Sequence, residues 1–394
     1  MRSISQKLES PPILTKIKSG LEFLTDTFHI KVETPMVGGG VVAGEIDQKR
    51  PIRVSSIRGH LRYWWRLLNW DEGNGTMRQN EADVWGGLDK RSEISIDITE
   101  MPTAISLRRR DNDFGFAPYG TEAYALFPSR QNNQDIAKEG FTFTLRLKYP
   151  KRLKDDVRLA LSAWIYFGGI GARTRRGCGT LSCQENQNLI SINEILPKNS
   201  NIVLWRRSNP DTNALSAWKN VVEYYRQYRQ YRIRPRARSK WPEPDSLRLM
   251  TGCHAPTHGI LQPPDLLPSF PRAVLGLPIE FHFVKGSPPP PFEKHNLDPY
   301  KVQILPRDSN RMSSPVITKA LFYNGKWYQA VIILPHEHAL NVDTKMNVHE
   351  IDVDILPLDS NINRTLAPMN GATNAIAGFE NFISKDFRKE MITR

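Results

Sequence analysis

Cysteine is scarce in this chain of 394 residues: there are three, Cys178, Cys183 and Cys253. Thiols so few and so unevenly spaced exclude a disulfide framework and suit a reducing compartment. Long apolar runs are also missing, so no helix is expected to cross a bilayer. The opening MRSISQKLESPP has no apolar signal core, and a cytoplasmic location with no membrane partner is expected. Catalytic patterns are equally thin. There is no Gly-x-Ser-x-Gly elbow, no calcium-loop spacing, and no cluster of carboxylates able to hold a pair of magnesium ions. His336-Glu337 starts like a zinc-protease helix, but Leu340 stands where the second histidine would have to be. Cys253, His254 and His258 are donors at short spacing, yet four zinc ligands would require the fold to bring in a further cysteine. Neither a metal nor a cofactor is expected.

Acidic residues are missing from one long stretch, between Asp156 and Glu185. Inside it lies GGIGARTRRGCG, in which Gly168, Gly169, Gly171, Gly177 and Gly179 surround Arg173, Arg175 and Arg176. Glycines let a backbone turn its N–H groups toward an anion, and guanidinium forks add charge-assisted hydrogen bonds. The stretch follows a helical pattern and lacks a Gly-Lys-Ser/Thr ending, so it is neither a dinucleotide fingerprint nor a P-loop. Across the chain 54 Lys and Arg face 41 Asp and Glu, a surplus of +13 that favours polyanions, with nucleic acid ahead of an acidic membrane surface.

Periodicity orders the first half. Phe28, Ile30 and Val32 alternate as a strand and lead through Thr34-Pro35 to Gly38, Gly39 and Gly40. Ser55 and Ser56 are candidate caps for a helix with Ile57, Leu61, Trp64, Trp65 and Leu68 on one face and Arg58, Arg62 and Arg66 on another. Ile94, Ile96 and Ile98 read as a strand, as do Phe141, Phe143, Leu145, Leu147 and Tyr149. A helix follows through Val157, Leu161 and Trp164, then the glycine-arginine loop and a strand over 180–183. The order strand, helix, strand, strand, helix, strand is ferredoxin-like, an arrangement used by RNA-recognition modules. Residues 101–140 are too long for a hairpin turn and are expected to project as an arm. There Arg108, Arg109 and Arg110 accompany Phe114, Phe116, Tyr119, Tyr124 and Phe127, which either stack on bases or anchor the arm.

In the second half, Asn209-Pro210 marks a helix start, and Leu215, Trp218, Val222 and Tyr225 continue its apolar face to a stop near Pro235. Arg226 and Arg229 open a second basic run interleaved with tyrosines, either a nucleic-acid surface or a solvated helix face. Asn324-Gly325 joins two strands as a tight hairpin, and residues 374–391 read as a closing helix. His60, on the arginine-bearing helix, is the candidate for metal-free acid–base RNA cleavage.

Five segments together resemble a known family: ETPMVGGG (33–40), IRVSSIRGHLRYWWR (52–66), GGIGARTRRGCGTL (168–181), WPEPDSLR (241–248) and RMSSPVI (311–317). The family is that of the first subunit of the Cmr effector complex, in the RAMP superfamily of type III-B CRISPR-Cas systems. The resemblance implies an α+β chain of two ferredoxin-like (RRM-like) βαββαβ domains in tandem, taken here as 1–200 and 201–394. It also implies a non-catalytic subunit that helps hold target RNA near the 3′ region of the guide, with crRNA, target RNA and the RAMP backbone subunits as partners. Catalysis in that complex is assigned to other subunits, and the family does not require a histidine at position 60. The expected RNA contacts are Arg58, Arg62, Arg66, the glycines and arginines of 168–179, Arg108 to Arg110, Arg226 and Arg229. The alternatives are a metal-independent guide-processing endoribonuclease and a purely protein-binding subunit.

Overall fold

The structure, a computed structural model, describes residues 22–390 apart from 43, 70–75, 103–104, 109–120, 132–134, 197–201, 233–236, 263–266, 284–285, 288–297, 300, 349–350 and 356–363. Alternation places Phe28, Ile30 and Val32 on the buried face of β1 (Phe23–Val32). A short β2 (Met36–Val37) precedes α1 (Val54–Leu68), whose stripe of Ile57, Leu61, Trp64, Trp65 and Leu68 is buried. Arg53 is the N-cap of α1 and no side chain caps it, so Ser55 and Ser56, already inside the helix, do not take the role their position suggested.

After α2 (Met77–Trp85), β3 (Ser95–Glu100), β4 (Leu107–Arg108), α3 (Thr121–Gln131) and β5 (Ile136–Ala137), the chain returns as β6 (Thr142–Pro150), which pairs along most of β1. α4 (Lys154–Phe167) and β7 (Leu181–Cys183) complete the unit. The sheet order β3-β6-β1-β7, antiparallel throughout, is the second-third-first-fourth order of a ferredoxin-like βαββαβ unit.

The insertion at 101–140 does not project over its described part. β4 and β5 form a small sheet with β2, and Ala125 and Leu126 of α3 are buried in a cluster with Ala217, Trp218 and Val222. An apolar helix face lowers its free energy by covering another, and here the partner belongs to the second half of the chain. Phe114, Phe116, Tyr119 and the side chain of Phe127 lie outside the described residues.

The short α5 (Ile192–Ile195) buries Ile192 and Ile195 in the first core, and the second half opens with β8 (Val203–Arg207) and α6 (Ala214–Gln230). α6 starts later than Asn209-Pro210, because Asn213 supplies the cap by accepting from Ser216 N at 2.8 Å. It ends at Tyr231 with φ 31°, before Pro235 is reached. An inserted lobe holds α7 (Glu243–Thr251), β9 (Ile279–His282), β10 (Gly286–Ser287), β11 (Asp298–Pro299) and β12 (Lys301–Pro306). The hairpin β13 (Val316–Tyr323) and β14 (Lys326–Ile333) turns on Asn324-Gly325. Then come α8 (Glu337–Leu340), β15 (Thr344–Val348), β16 (Ile351–Ile355), α9 (Ala375–Ile383) and β17 (Phe387–Lys389). The expected closing helix over 374–391 therefore stops at Ile383, and Phe387 turns inward as the start of a strand. Sheet order β13-β14-β8-β17 repeats the second-third-first-fourth pattern, while β16-β15-β12-β9 is the sheet of the inserted lobe.

The two ferredoxin-like sheets share a layer of helices. Val331 and Ile333 of β14 face α6 and α9, in a cluster with Tyr225, Tyr228, Ile376 and Phe379. Ile317, Leu321, Ala330 and Ile332 face the other way, into the core built by α1, α4 and the first sheet. α4 is thus sandwiched, which is why nine of its fourteen residues are buried rather than a single stripe.

Candidate nucleic-acid interface

The first sheet does not offer the aromatic platform of an RNA-recognition module. Its outer face carries Lys31 paired with Glu33 (3.0 Å), Arg146 with Asp97 (3.2 Å), and His29 Nδ1 2.5 Å from Glu185. The exposed aromatic at that end, Phe23, lies under Lys148 Nζ at 5.6 Å. The corresponding face of the second sheet is filled by α4, so neither ferredoxin-like sheet offers its described residues for base stacking in that manner.

Glycine segments from two motifs meet instead. Ala172 N donates to Val37 O at 2.7 Å, and Thr34 Oγ1 donates to Gly177 O at 2.6 Å while accepting from Thr180 N at 2.9 Å. Gly171 has φ +80°, and a Cβ there would sit 2.7 Å from both Met36 Cγ and Val37 O, so only glycine admits this approach. Gly39 faces Gly171, with Pro51 O on the other side. Just before Pro51, Lys49 and Arg50 are exposed and form no ion pair among the described residues. Arg53 caps α1, whose first turn has no acidic residue, and its buried Nε has no hydrogen-bond partner. Open helix N–H groups, closely packed glycine backbone and unpaired cations suit a phosphate. Sequence reading missed Lys49, Arg50 and Arg53; the signal was the basic segment QKRPIR leading directly into the helix.

The predicted arginines are placed differently from one another. On α1, Arg62 Nε and Arg66 Nη1 both reach Glu81 Oε1, at 2.7 and 2.8 Å, so two guanidinium groups share one carboxylate. Arg58 turns away to Ser92 Oγ (3.1 Å) and Ile94 O (2.9 Å), and burial, with Arg62 nearby, pulls its pKa down. Arg226 is bound to Glu223 on its own helix at 2.8 and 2.5 Å. Arg229 stands 5.8 Å from the Tyr225 ring. Arg108 belongs to β4, while Arg109 and Arg110 lie outside the described residues.

The loop arginines point into the junction between the two halves. Arg173 Nε donates to Ala125 O of α3. Arg175 donates to Ser314 O and, at 3.2 Å, to Tyr63 Oη of α1. Arg176 donates to Val316 O and Tyr225 Oη, both at 3.0 Å, and lies over the Tyr225 ring at 4.2 Å. Burial alone would raise the Tyr225 phenol, but Arg176 and Arg229 overcome it and hold its pKa below the ordinary value.

His60 stacks on Trp164, with centroids 5.9 Å apart and planes inclined by 13°, and burial lowers its pKa. This is the environment of a packed histidine. His258 is used by the WPEPDSLR segment: its Nδ1 is 2.6 Å from Asp298 Oδ2, and Arg248 grips the same carboxylate at 2.8 and 3.1 Å. Among the described residues no group of three or more His, Cys, Asp and Glu is arranged to hold a metal, and no helix is long and apolar enough to cross a membrane.

The pattern of the RAMP superfamily matches residues 29–182, from β1 through the glycine-arginine loop. The chain is also similar to the CRISPR system Cmr subunit Cmr1-1 of Pyrococcus furiosus, with 26% identity over 137 residues. That match spans 33% of this chain and 40% of the relative's length. The crystal structure of Cmr1 from Pyrococcus furiosus in its apo form shares the fold, with a TM-score of 0.50 at 16% identity, covering 94% of this chain and 98% of that one. A chain in a cryo-EM structure of the type III-B Cmr-beta complex bound to cognate target RNA aligns at a TM-score of 0.43 and 14% identity, covering 80% and 95% of the two chains.

Proposed function

We propose that this chain is a non-catalytic RNA-binding subunit of a type III-B Cmr effector complex, acting in the cytoplasm in antiviral defence. It helps hold target RNA near the 3′ region of the guide, with crRNA, target RNA and RAMP backbone subunits as partners. The observation that carries this reading is the RAMP match over 29–182, the stretch whose two glycine segments pack together beside Lys49, Arg50 and the start of α1. The two halves, 1–200 and 201–394, act as the two ferredoxin-like domains.

On this reading Lys49 and Arg50 hold phosphates at the glycine junction, and Arg62 and Arg66, sharing one carboxylate, continue the positive surface along α1. Arg58, Arg226, Arg229 and Arg108 to Arg110 contribute to the surrounding field, and base pairing with the guide supplies sequence specificity. Each phosphate neutralised on single-stranded RNA contributes about −0.7 to the slope of log K against log salt. Binding of a labelled single-stranded RNA to the purified chain, followed between about 50 and 200 mM salt, tests this. The variant Lys49→Ala/Arg50→Ala is expected to flatten the slope by about 1.4. An unchanged slope removes these residues from the interface, and cleavage of repeat RNA in EDTA that disappears in His60→Ala moves the reading to the endoribonuclease.

A further inference from the structure

β13 is the edge strand of the second sheet. Pro315 O accepts from Leu334 N of the neighbouring chain segment at 3.0 Å, so by the alternation of an antiparallel ladder the carbonyls of 314, 316 and 318 point outward, away from β14. Those three carbonyls meet three successive residues of the loop. Arg175 donates to Ser314 O, Arg176 donates to Val316 O, and Gly177 lies so close to Thr318 O that a Cβ would come within 2.7 Å of it.

We propose that Arg175 and Arg176 are positioning residues that seal the free edge of β13 and so hold the glycine loop in its binding shape, rather than being phosphate ligands themselves. An unpaired strand edge exposes carbonyls that need donors, and here side-chain forks supply what a fifth strand would. The same two residues have further ties, one to a helix of each half. Arg175 reaches Tyr63 Oη of α1, and Trp218 Nε1 of α6 donates to Arg176 O at 2.6 Å. The opposite end of the loop is fixed by Lys319 Nζ, 2.8 Å from Gly168 O. Each guanidinium reaches two or more fixed acceptors from separate nitrogens, a spread that the single ammonium of a lysine of equal charge does not reproduce. The face left to a ligand is the other one, where Gly171 and the exposed Ala172 adjoin Gly39.

The proposal rests on the RNA-binding reading, and its test separates the two. RNA affinity and its salt slope are measured for the full chain, for Arg175→Ala/Arg176→Ala and for Arg175→Lys/Arg176→Lys, at a temperature where circular dichroism shows each variant folded. Bracing predicts an affinity lower by about tenfold in both variants, through lost preorganisation, with the slope of the parent chain kept. A slope reduced by about 1.4 in the alanine variant, with affinity retained in the lysine variant, makes the arginines direct ligands and overturns the proposal while leaving the RNA reading intact. If the alanine variant does not fold, the lysine variant decides: lowered affinity supports the brace, parental affinity overturns it. If the parent chain binds no RNA, the functional reading falls, and hydrogen exchange decides the brace alone. Lost protection over 168–179 in the lysine variant supports it, and unchanged protection overturns it.

Discussion

Lys319 Nζ donates to Gly168 O at 2.8 Å and to Ile165 O at 3.3 Å, so a lysine of the second sheet caps the last turn of a helix from the first unit. Its side chain is 1% exposed and projects from the β13 face that packs on α4. The C-terminal end of a helix dipole suits a cation, but burial opposes the charge and pulls the pKa down from 10.5 to about 7.

The sign of the resulting pH dependence is fixed by that depression. The unfolded chain holds the Lys319 proton up to about pH 10.5, whereas the folded chain releases it near 7. Stability therefore rises as pH increases from about 7 toward 10.5, by up to about 5 kcal/mol for this group, and is at its low plateau below 7. Urea unfolding of the parent chain and of Lys319→Met at pH 7 and pH 9 checks this. The methionine variant, which leaves two carbonyls without their donor, is expected to lose most of that rise. Equal rises in the two proteins would show that Lys319 does not titrate in the folded state.

Gly59 and Gly177 predict opposite effects of the same substitution. Gly59 lies on the exposed face of α1 with nothing within 4 Å of a Cβ, so Gly59→Ala is expected to stabilise the chain by about 0.5–1 kcal/mol. Gly177 has φ +71°, and a Cβ there would stand 2.6 Å from Trp218 Cδ1 and 2.7 Å from Thr318 O. Gly177→Ala is expected to destabilise by about 2–4 kcal/mol, through both strain and overpacking. Thermal melts of the two variants settle the pair, and a neutral Gly177→Ala would mean that the loop is not packed against β13.

Local patterning made the elements legible, and chain topology hid the partners. The first ferredoxin-like unit could be read because Phe28-Ile30-Val32 and Ile57-Leu61-Trp64 carry their periods within a few residues. The Asn324-Gly325 hairpin was equally local. The role of Arg175 was not, because its acceptor, Ser314 O, lies 139 residues away and is a backbone atom with no side-chain signature. Dense positive charge in a glycine-rich loop reads as an anion site, and the carbonyls of an edge strand far along the chain do not enter that reading. Lys319 did leave a trace, as a single charge inside the apolar run VITKALFY, a pattern that calls for a buried acceptor at the middle of a strand. The arm at 101–140 failed for the reverse reason, since its length suggested projection while Ala125 and Leu126 had a remote helix to cover.

The three thiols are expected to be inert in the native protein. Burial pushes both Cys178 and Cys183 up to about 12, so neither is a thiolate at neutral pH, and Cys253 is buried as well. A chromogenic disulfide reagent is expected to react slowly without denaturant and with all three cysteines in urea. Rapid modification of the native chain would place at least one thiol at the surface.

Asp298 carries the last prediction. It is 2% exposed, and burial alone would raise its pKa, but hydrogen bonds from Arg248, His258 and the Ala255 N–H prevail and lower it to about 2. A carboxylate with a depressed folded pKa stabilises the chain above its ordinary value of 3.8, and that contribution is lost as pH falls from there toward 2. Asp298→Asn leaves Arg248, itself 5% exposed, with Asp245 as its remaining carboxylate at 3.0 Å. The variant is expected to lose about 3 kcal/mol at pH 7, the scale of a buried ion pair broken on one side, and to show a flatter acid limb than the parent between pH 4 and 2. Because this network lies in the inserted lobe, away from the Gly39–Gly171 junction in sequence and in core, RNA affinity measured well below the melting temperature is expected to stay at the parental level. A variant that kept its stability but lost RNA binding would instead move the WPEPDSLR segment from the scaffold to the interface.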